Sequence, residues 1–344
     1  MDQTANPPTL ADFFCGCGGI GMAFQRNGFR IVGSWDFDKY ACQTYAANID
    51  PNVKCVDILA MDWTDVPKAD VWAFGFPCQD ISHAGLQAGL EGGKRSRMFF
   101  EVMRLLRETR EADQKSLPAF LLAENVKGLK KYIEVLRAEY AKVGYRMEYT
   151  LLNSLEWGVP QHRERYYVVG IRDDVQVDFK FPEVVPNFPR PTFLEILEPV
   201  VSENHYKPAS KAEEVVSKMS AEQNQKIRDS ARAVGELWTM KTIATGVFGV
   251  KNGFLPQDYS NTLDASAYKG IGCNQTRPAV LEFDPLRLRK LTPREYARLQ
   301  GFPDSFKLVC SDTQMYKQFG NSVSVPVVEA VARQIKLALE EING

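Results

Sequence analysis

Residues 9–21 are Thr9-Leu10-Ala11-Asp12-Phe13-Phe14-Cys15-Gly16-Cys17-Gly18-Gly19-Ile20-Gly21, TLADFFCGCGGIG. An apolar run stops at a cluster of glycines and a short helix to about Asn27 follows. A continuous apolar run suits a strand covered on both faces, as in a parallel sheet. Gly16, Gly18 and Gly21 match G-x-G-x-x-G, and Asp36 lies twenty residues past Gly16. In an open α/β sheet, ligands sit beyond the carboxyl ends of the strands. Glycines there let the backbone approach a nucleotide-like ligand, and an acid at the end of the next strand can take ribose hydroxyls. The pattern alone fits NAD as well as S-adenosylmethionine, and tight strand–helix packing would use the same glycines.

Outward from this stretch, strand and helix alternate. Arg30 to Trp35, Val53 to Ile58, Val71 to Phe76, Ala119 to Ala123 and Tyr166 to Ile171 read as strands. Tyr40 to Asn48 and 132–143 read as helices, and Phe99, Val102, Met103 and Leu106 repeat at helical spacing. Repeated β-α-β with apolar strands predicts a doubly wound, mostly parallel α/β sheet. Pro182, Pro186, Pro189 and Pro191 then form a stiff linker. About 192–282 reads as a second, smaller mixed domain. Thr292, Pro293 and Glu295 supply the N-cap, N1 and N3 of a helix that Gly301 stops. Val328, Val331, Ala332, Ile335 and Leu339 share one face of a tail helix, which should dock on a core.

The chain has 344 residues, 44% apolar and 25% charged, with a formal net charge of −1, which excludes a nonspecific polycation. Charge is nevertheless segregated: Lys94, Arg95, Arg97, Arg104, Arg107 and Arg110 cluster in 92–110, and Arg287, Arg289, Lys290, Arg294 and Arg298 in 285–300. Either cluster suits a phosphate-binding surface or a solvated helix face. An odd count of seven cysteines and an N-terminus without a signal-peptide pattern point to a reducing cytoplasm. Cys15 and Cys17 lack a second pair at ligand spacing, so no metal is expected.

Two strand ends carry reactive groups. The run AFGFPCQDIS, Ala73 to Ser82, hands over from a strand through Pro77 to Cys78. PAFLLAENVKG, Pro118 to Gly128, ends its strand at Glu124-Asn125. A thiol and a carboxylate at adjacent strand ends fit nucleophilic and acid–base chemistry better than packing. His83 and His162 have no orienting acid in sequence, which weakens a Cys-His protease reading. In Gln161-His162-Arg163-Glu164-Arg165 an extended backbone puts Gln161, Arg163 and Arg165 on one face, where two guanidiniums suit a phosphate or a base oxygen.

DFFCGCGG, GFPCQDIS, ENVKGL, QHRER, RKLTPREYARLQGFPDSF and YKQFGNSVSVPVV, in this order, resemble the motifs of the DNA (cytosine-5) methyltransferases of bacteria and their phages. The resemblance covers nearly the whole chain. It implies an S-adenosylmethionine-dependent, Rossmann-like catalytic domain in 1–184, a target-recognition domain in 185–284 and a return segment in 285–344. It implies Cys78 as nucleophile on cytosine C6, Glu124 as the acid at N3, Arg165 on O2 and Arg163 in support. The cofactor would be held by Phe14, Gly16, Cys17, Gly18, Gly19, Asp36, Phe37, Asp57, Ile58, Pro77, Asn321, Ser322 and Val323. Asp36 stands where the family usually has Glu, keeping the charge but shortening the reach. The resemblance implies a monomer acting on double-stranded DNA, leaves open a cognate restriction endonuclease acting on the same site, and implies no direct binding to one. An RNA cytosine-5 methyltransferase would use the same motifs, whereas an NAD oxidoreductase gives PCQ, ENV and QxRxR no role.

Target choice is expected in about 238–275. Across 192–282 there are ten Lys and Arg against eleven Asp and Glu, so bulk charge cannot hold DNA there. A few placed side chains must read base edges. The candidates are Lys241, Lys251, Gln257, Thr262, Tyr268, Lys269 and Gln275, with Gln79, Ser82, Arg95, Gln161 and Arg294 as further DNA contacts.

Overall fold

The first apolar run forms a strand, β1, Thr9–Phe13, at the centre of a seven-stranded sheet. The computed structural model describes residues 6–76, 97–185, 188–217, 220–222, 225, 243–249, 253–269, 277–283 and 285–343. The chain divides into two compact units. Met1–Asn153, Glu164–Val184 and Ser322–Gly344 make the first, Ser154–Arg163 and Val185–Asn321 the second.

The first unit holds β1, β2 (Arg30–Asp36), β3 (Lys54–Cys55), β4 (Val71–Phe74), β5 (Phe120–Val126) and β6 (Tyr145–Asn153). After β7 (Gln161–His162), which belongs to the second unit, comes β8 (Glu164–Arg172). The order is β3-β2-β1-β4-β5-β8-β6. Pairing is parallel from β3 to β5, and β8 runs antiparallel between β5 and β6. Because β2 and β4 flank β1 on opposite sides, the sheet reverses its winding between β1 and β4. In doubly wound sheets the ligand crevice opens at such a reversal.

Every residue of β4 is buried, as are six of the seven in β5, which explains why both read as unbroken apolar runs. Helix α1 (Gly19–Arg26) follows the glycine loop, and α2 (Lys39–Asn48) is N-capped by Asp38, which accepts from Tyr40 N and Ala41 N. Helix α3 (Arg97–Asp113) buries Phe99, Val102, Met103 and Leu106, the predicted stripe. At about 1.5–3 kcal/mol for each fully buried large apolar side chain, this face fixes α3 to the sheet. Helix α4 is Ile133–Lys142.

The second unit contains a four-stranded antiparallel sheet, β10-β9-β12-β13, formed by β9 (Ile243–Gly249), β10 (Gly253–Pro256), β12 (Arg277–Phe283) and β13 (Leu286–Lys290). The two-residue strand β11 (Ser260–Asn261) pairs in parallel with β7. Helix α5 (Ala209–Ser217) covers the sheet through Ala212 and Val215 against Ala279, Leu281 and Leu288. Helices α6 (Pro293–Leu299) and α7 (Asp312–Asn321) complete the unit. The capping box of α6 forms in both directions, Thr292 accepting from Glu295 N and Glu295 from Thr292 N. The tail helix α8 (Val325–Asn343) returns to the first unit and packs on α1, with Arg26 to Glu329 at 2.7 Å.

Three features differ from the sequence reading. The strand expected over Val53–Ile58 pairs only at Lys54 and Cys55, because the chain then turns through Ile58–Ala60 with Asp57 as its cap. Strand β6, at the sheet edge, is absent from the sequence reading: its burial is mixed, and Arg146 donates to Val175 O and Val177 O. The return to the first unit falls at Ser322 rather than 285, since β13 is hydrogen-bonded to β12 and α6 packs with α7. Residues 154–163 also join the second unit, through β7.

Candidate active site and cofactor pocket

The glycine loop is built by backbone conformations that side chains oppose. Phe14 has φ 52°, the sole non-glycine residue with positive φ among the described residues, and Gly16 and Gly18 follow at 55° and 100°. Such strain persists only where the surroundings hold it, and it concentrates at ligand sites. A Cβ on Gly18 would lie 2.4 Å from Ile49. Cys15 N donates to Trp35 O at 3.1 Å and Gly16 N to Asp36 Oδ2 at 2.9 Å. Asp36 Oδ1 accepts from Asp38 N at 2.8 Å. The carboxylate of Asp36 therefore fixes the loop after β1 to the end of β2, with lone pairs left for a ligand. Burial raises its pKa, against those hydrogen bonds.

Phe37, beside it, is 73% exposed, a large ring held at the rim with its surface free. Asp57 is exposed and caps its turn by accepting from Leu59 N at 3.0 Å, while Ile58 is buried. Cys17 is hydrogen-bonded to the side chain of Ser322, so the returning tail reaches the glycine loop, and Val323 is buried next to it. Asn321, the last residue of α7, is exposed in the second unit. Burial pushes the Cys17 thiol up to about 12 and Cys15 well above the usual thiol range, so both remain neutral and pack as small apolar groups.

Beneath the loop lies a group that sequence reasoning missed. Asp12 of β1 is fully buried, accepts from Tyr45 Oη at 3.1 Å and is pushed up to about 8, chiefly by burial. Its Oδ1 has no partner among the described residues. The signal was visible as one carboxyl inside an apolar strand.

At the carboxyl end of β5, Glu124 lies 3.2 Å from Arg165 Nε. Val126 is the residue opposite Arg165 in the β5–β8 register, which makes Glu124 its diagonal neighbour on the same face. The two side chains are 10% and 13% exposed, and Glu124 Oε1 makes no hydrogen bond among the described residues. Asn125 Nδ2 donates to Phe76 O at 3.1 Å, tying the end of β5 to the backbone that follows β4. Lys127 pairs with Glu164 at 2.8 Å on the rim. Pro77, Cys78, Gln79, Ser82 and Arg95 lie outside the described residues, as do Lys241, Lys251 and Gln275.

In the second unit Arg163 is buried and donates to Leu263 O at 3.3 Å. Gln161 is fully buried: it donates to Leu299 O and Gln300 Oε1 and accepts from Leu263 N. Its amide braces the interior, which corrects its reading as a DNA contact. Arg294 is likewise engaged, donating to Pro303 O and Phe306 O. The rest of the 285–300 cluster is largely engaged inside the unit. Arg287 pairs with Glu203, Arg289 with Glu295 and Glu282, and Arg298 with Asp304, while Lys290 lies 4.9 Å over the Tyr316 ring. Thr262 is exposed and donates to His162 O at 2.9 Å. Gln257 Oε1 is buried without a partner among the described residues, and Tyr268 is 37% exposed.

Around the strained glycine loop, with the acid–guanidinium pair two strands away, stands a doubly wound α/β fold. Solved methyltransferases share it. EhMeth of Entamoeba histolytica superposes with a TM-score of 0.72 at 17% identity, over 97% of this chain and 99% of that one. The Dnmt2 methyltransferase of S. pombe gives 0.67 at 21%, over 98% and 100%. Residues 9–337 match the sequence profile of the C-5 cytosine-specific DNA methylases. Type II methyltransferase M.NlaX of Neisseria lactamica is 37% identical over 341 residues, 97% of this chain and 98% of that protein. M.HhaI of Haemophilus parahaemolyticus is 32% identical over 337 residues, 95% and 94%. The chain belongs to the C-5 cytosine-specific DNA methylase family.

Proposed function

We propose that this enzyme transfers a methyl group from S-adenosylmethionine to C5 of a flipped-out cytosine in a short duplex sequence, through a covalent bond between Cys78 and C6. The carrying observation is the Glu124–Arg165 pair, held at 3.2 Å with an unbonded acid oxygen among the described residues. Asn125 ties that strand end to Phe76, two residues before Cys78 in the chain.

The glycine loop fits the methyl donor. A Cβ on Gly75 would meet no described atom within 4 Å, and one on Gly16 only Phe14 O at 3.9 Å, so space opens where β1 and β4 end. Asp36 has lone pairs that would take ribose hydroxyls, Asp57 and Ile58 would meet the adenine edge, and the bare face of Phe37 suits a flat base. When bound, S-adenosylmethionine supplies an electrophilic methyl group on a sulfonium. The Cys78 thiolate adds to C6 while Glu124 hands its proton to N3 and Arg165 holds O2. C5, now part of an enamine, takes the methyl group as its bond to sulfur breaks, leaving a neutral thioether. Loss of the C5 proton to a base, return of the N3 proton to Glu124 and expulsion of the thiolate restore the ring. The target base is inaccessible in the stack, so it leaves the duplex at a cost of roughly a few kcal/mol.

Target reading is assigned to the second unit, through Gln257, Thr262 and residues near Tyr268 together with Lys241 and Lys251, with Gln79, Ser82 and Arg95, which follow Cys78 in the chain, as further DNA contacts. Arg163, buried against Leu263, supports this arrangement. A cytoplasmic monomer of restriction-modification type fits the free thiols and the type II relatives. Duplex DNA carrying 5-fluorocytosine at the target cannot release its C5 substituent as a proton. It should trap the enzyme as an adduct stable on a denaturing gel. No adduct in the presence of the methyl donor, or an adduct that survives Cys78→Ser, would overturn the mechanism.

A further inference from the structure

In the second unit, the turn Ala267–Lys269 presents Tyr268 outward, and two ammonium groups approach its ring. Lys269 Nζ lies 6.0 Å from the ring centroid and Lys317 Nζ, from α7, 5.4 Å. Neither lysine has a carboxylate partner among the described residues; the nearby Asp264 is engaged by Arg277, at 3.4 Å, and by Ser266. Two like charges held near one ring repel each other, and the ring quadrupole offsets only about 0.5–1 kcal/mol per cation at an exposed site. What completes such an arrangement is an anion.

The cluster is also held in place by its surroundings. Gly320 packs α7 directly on the backbone of Asp264 and Ala265: a Cβ there would lie 2.3 Å from Asp264 C. Lys317, three residues earlier, lies on that same helical face. The turn is braced from within, because buried Arg277 donates to Ser266 Oγ at 2.7 Å and Lys269 N donates to Ser266 O at 3.0 Å. Helix and turn thus present a rigid, doubly positive, aromatic-backed point.

We infer that Lys269 and Lys317, with the Tyr268 ring between them, hold a phosphodiester of the DNA substrate. Tyr268 then belongs to positioning rather than to base reading, and Lys317 is a DNA contact that its helix did not announce in the sequence. The inference rests on the proposed action on DNA. It differs from the sequence expectation in one measurable respect: phosphate contacts affect all sequences alike, base contacts do not.

The test is the salt dependence of equilibrium binding to two duplexes, one carrying the methylated target and one lacking it. Each lost phosphate contact should lower the slope of log K against log salt by about 0.9, and weaken binding about fivefold near 0.15 M salt. Lys317→Gln and Lys269→Gln are each expected to do so equally on both duplexes, and Lys317→Arg to retain the slope. An unchanged slope in both Gln variants overturns the inference, and so does a Tyr268→Ala variant that changes the preference between duplexes while keeping the slope. Failure of the wild-type protein to bind or methylate either duplex would instead count against the action on DNA itself.

Discussion

Two glutamate–arginine pairs, one in each unit, join the same two side chains and differ in how completely the acid is engaged. Arg289 and Glu295 are 2% and 0% exposed and joined by two hydrogen bonds, 2.8 and 2.9 Å. Glu295 also accepts from Thr292 N and Glu198 N. Arg165 and Glu124 meet through one 3.2 Å contact without a hydrogen bond between them, and Arg165 turns an amino group to Glu164 O. In the first pair both carboxylate oxygens are hydrogen-bonded, only Arg289 Nε, 3.4 Å from Glu282, makes no hydrogen bond, and the pair closes an interior. The second keeps an acid oxygen and guanidinium donors available at a strand end. A buried ion pair costs desolvation that only good geometry and further hydrogen bonds offset, so an unsaturated one implies that something else completes it.

If that contrast holds, substitution should separate chemistry from stability. Glu124→Gln is expected to lower the methylation rate by about 10²–10⁴-fold, the range for a lost general acid. Its urea midpoint should shift little. A variant that loses its fold together with its activity would place Glu124 with the saturated kind.

Arg289→Met should behave oppositely. Leaving Glu295 buried and unpaired costs about 3–5 kcal/mol of unfolding free energy, read from urea denaturation. The folded variant, assayed at low temperature, should keep a near-normal rate per folded molecule. A loss of target preference without a loss of stability would break the comparison.

The smallest effect concerns a third buried carboxyl, intermediate between the two. Asp12 has one oxygen on Tyr45 and the other without a described partner, and burial raises it from 3.8 to about 8. Folding therefore takes up a proton between those values. This group's contribution to stability is fully present below about 3.8 and is lost as the pH rises through about 8. The melting temperature should fall from pH 5.5 to 8.5 in the wild type, and more gently in Asp12→Asn, whose amide does not titrate. Parallel curves for the two proteins would assign the slope to other groups.

Much of this was legible in the chain because it depends on local rules. The strands β1, β4 and β5 announce themselves as apolar runs, the Thr292–Glu295 cap as a four-residue pattern, and the α8 face as a 3.6-residue period. Glu124 and Arg165 were singled out because the first ends a recognisable strand and the second leads into one. What was illegible depends on distant partners. The arginines of 285–300 are answered by Glu203, Glu282 and Asp304, which no spacing rule connects to them. Gln161 looked like a reader of DNA because nothing near it in sequence shows Leu299, Gln300 and Leu263 closing over it. Strand β3 shortened because an edge strand has one neighbour, and the cap on Asp57 ended it early.

The division of the chain has a consequence for anyone wishing to transplant specificity. The polypeptide passes between the units four times, at 153/154, 163/164, 184/185 and 321/322. The second unit is therefore not a cassette with two ends. A chimera that exchanges only the long insert would leave β7 behind, and with it the parallel partner of β11 and the amide that seals the interior at Leu299. Such hybrids should be soluble and selective only when Ser154–Arg163 travels with its donor, so that two grafts, not one, move together as a single inheritance.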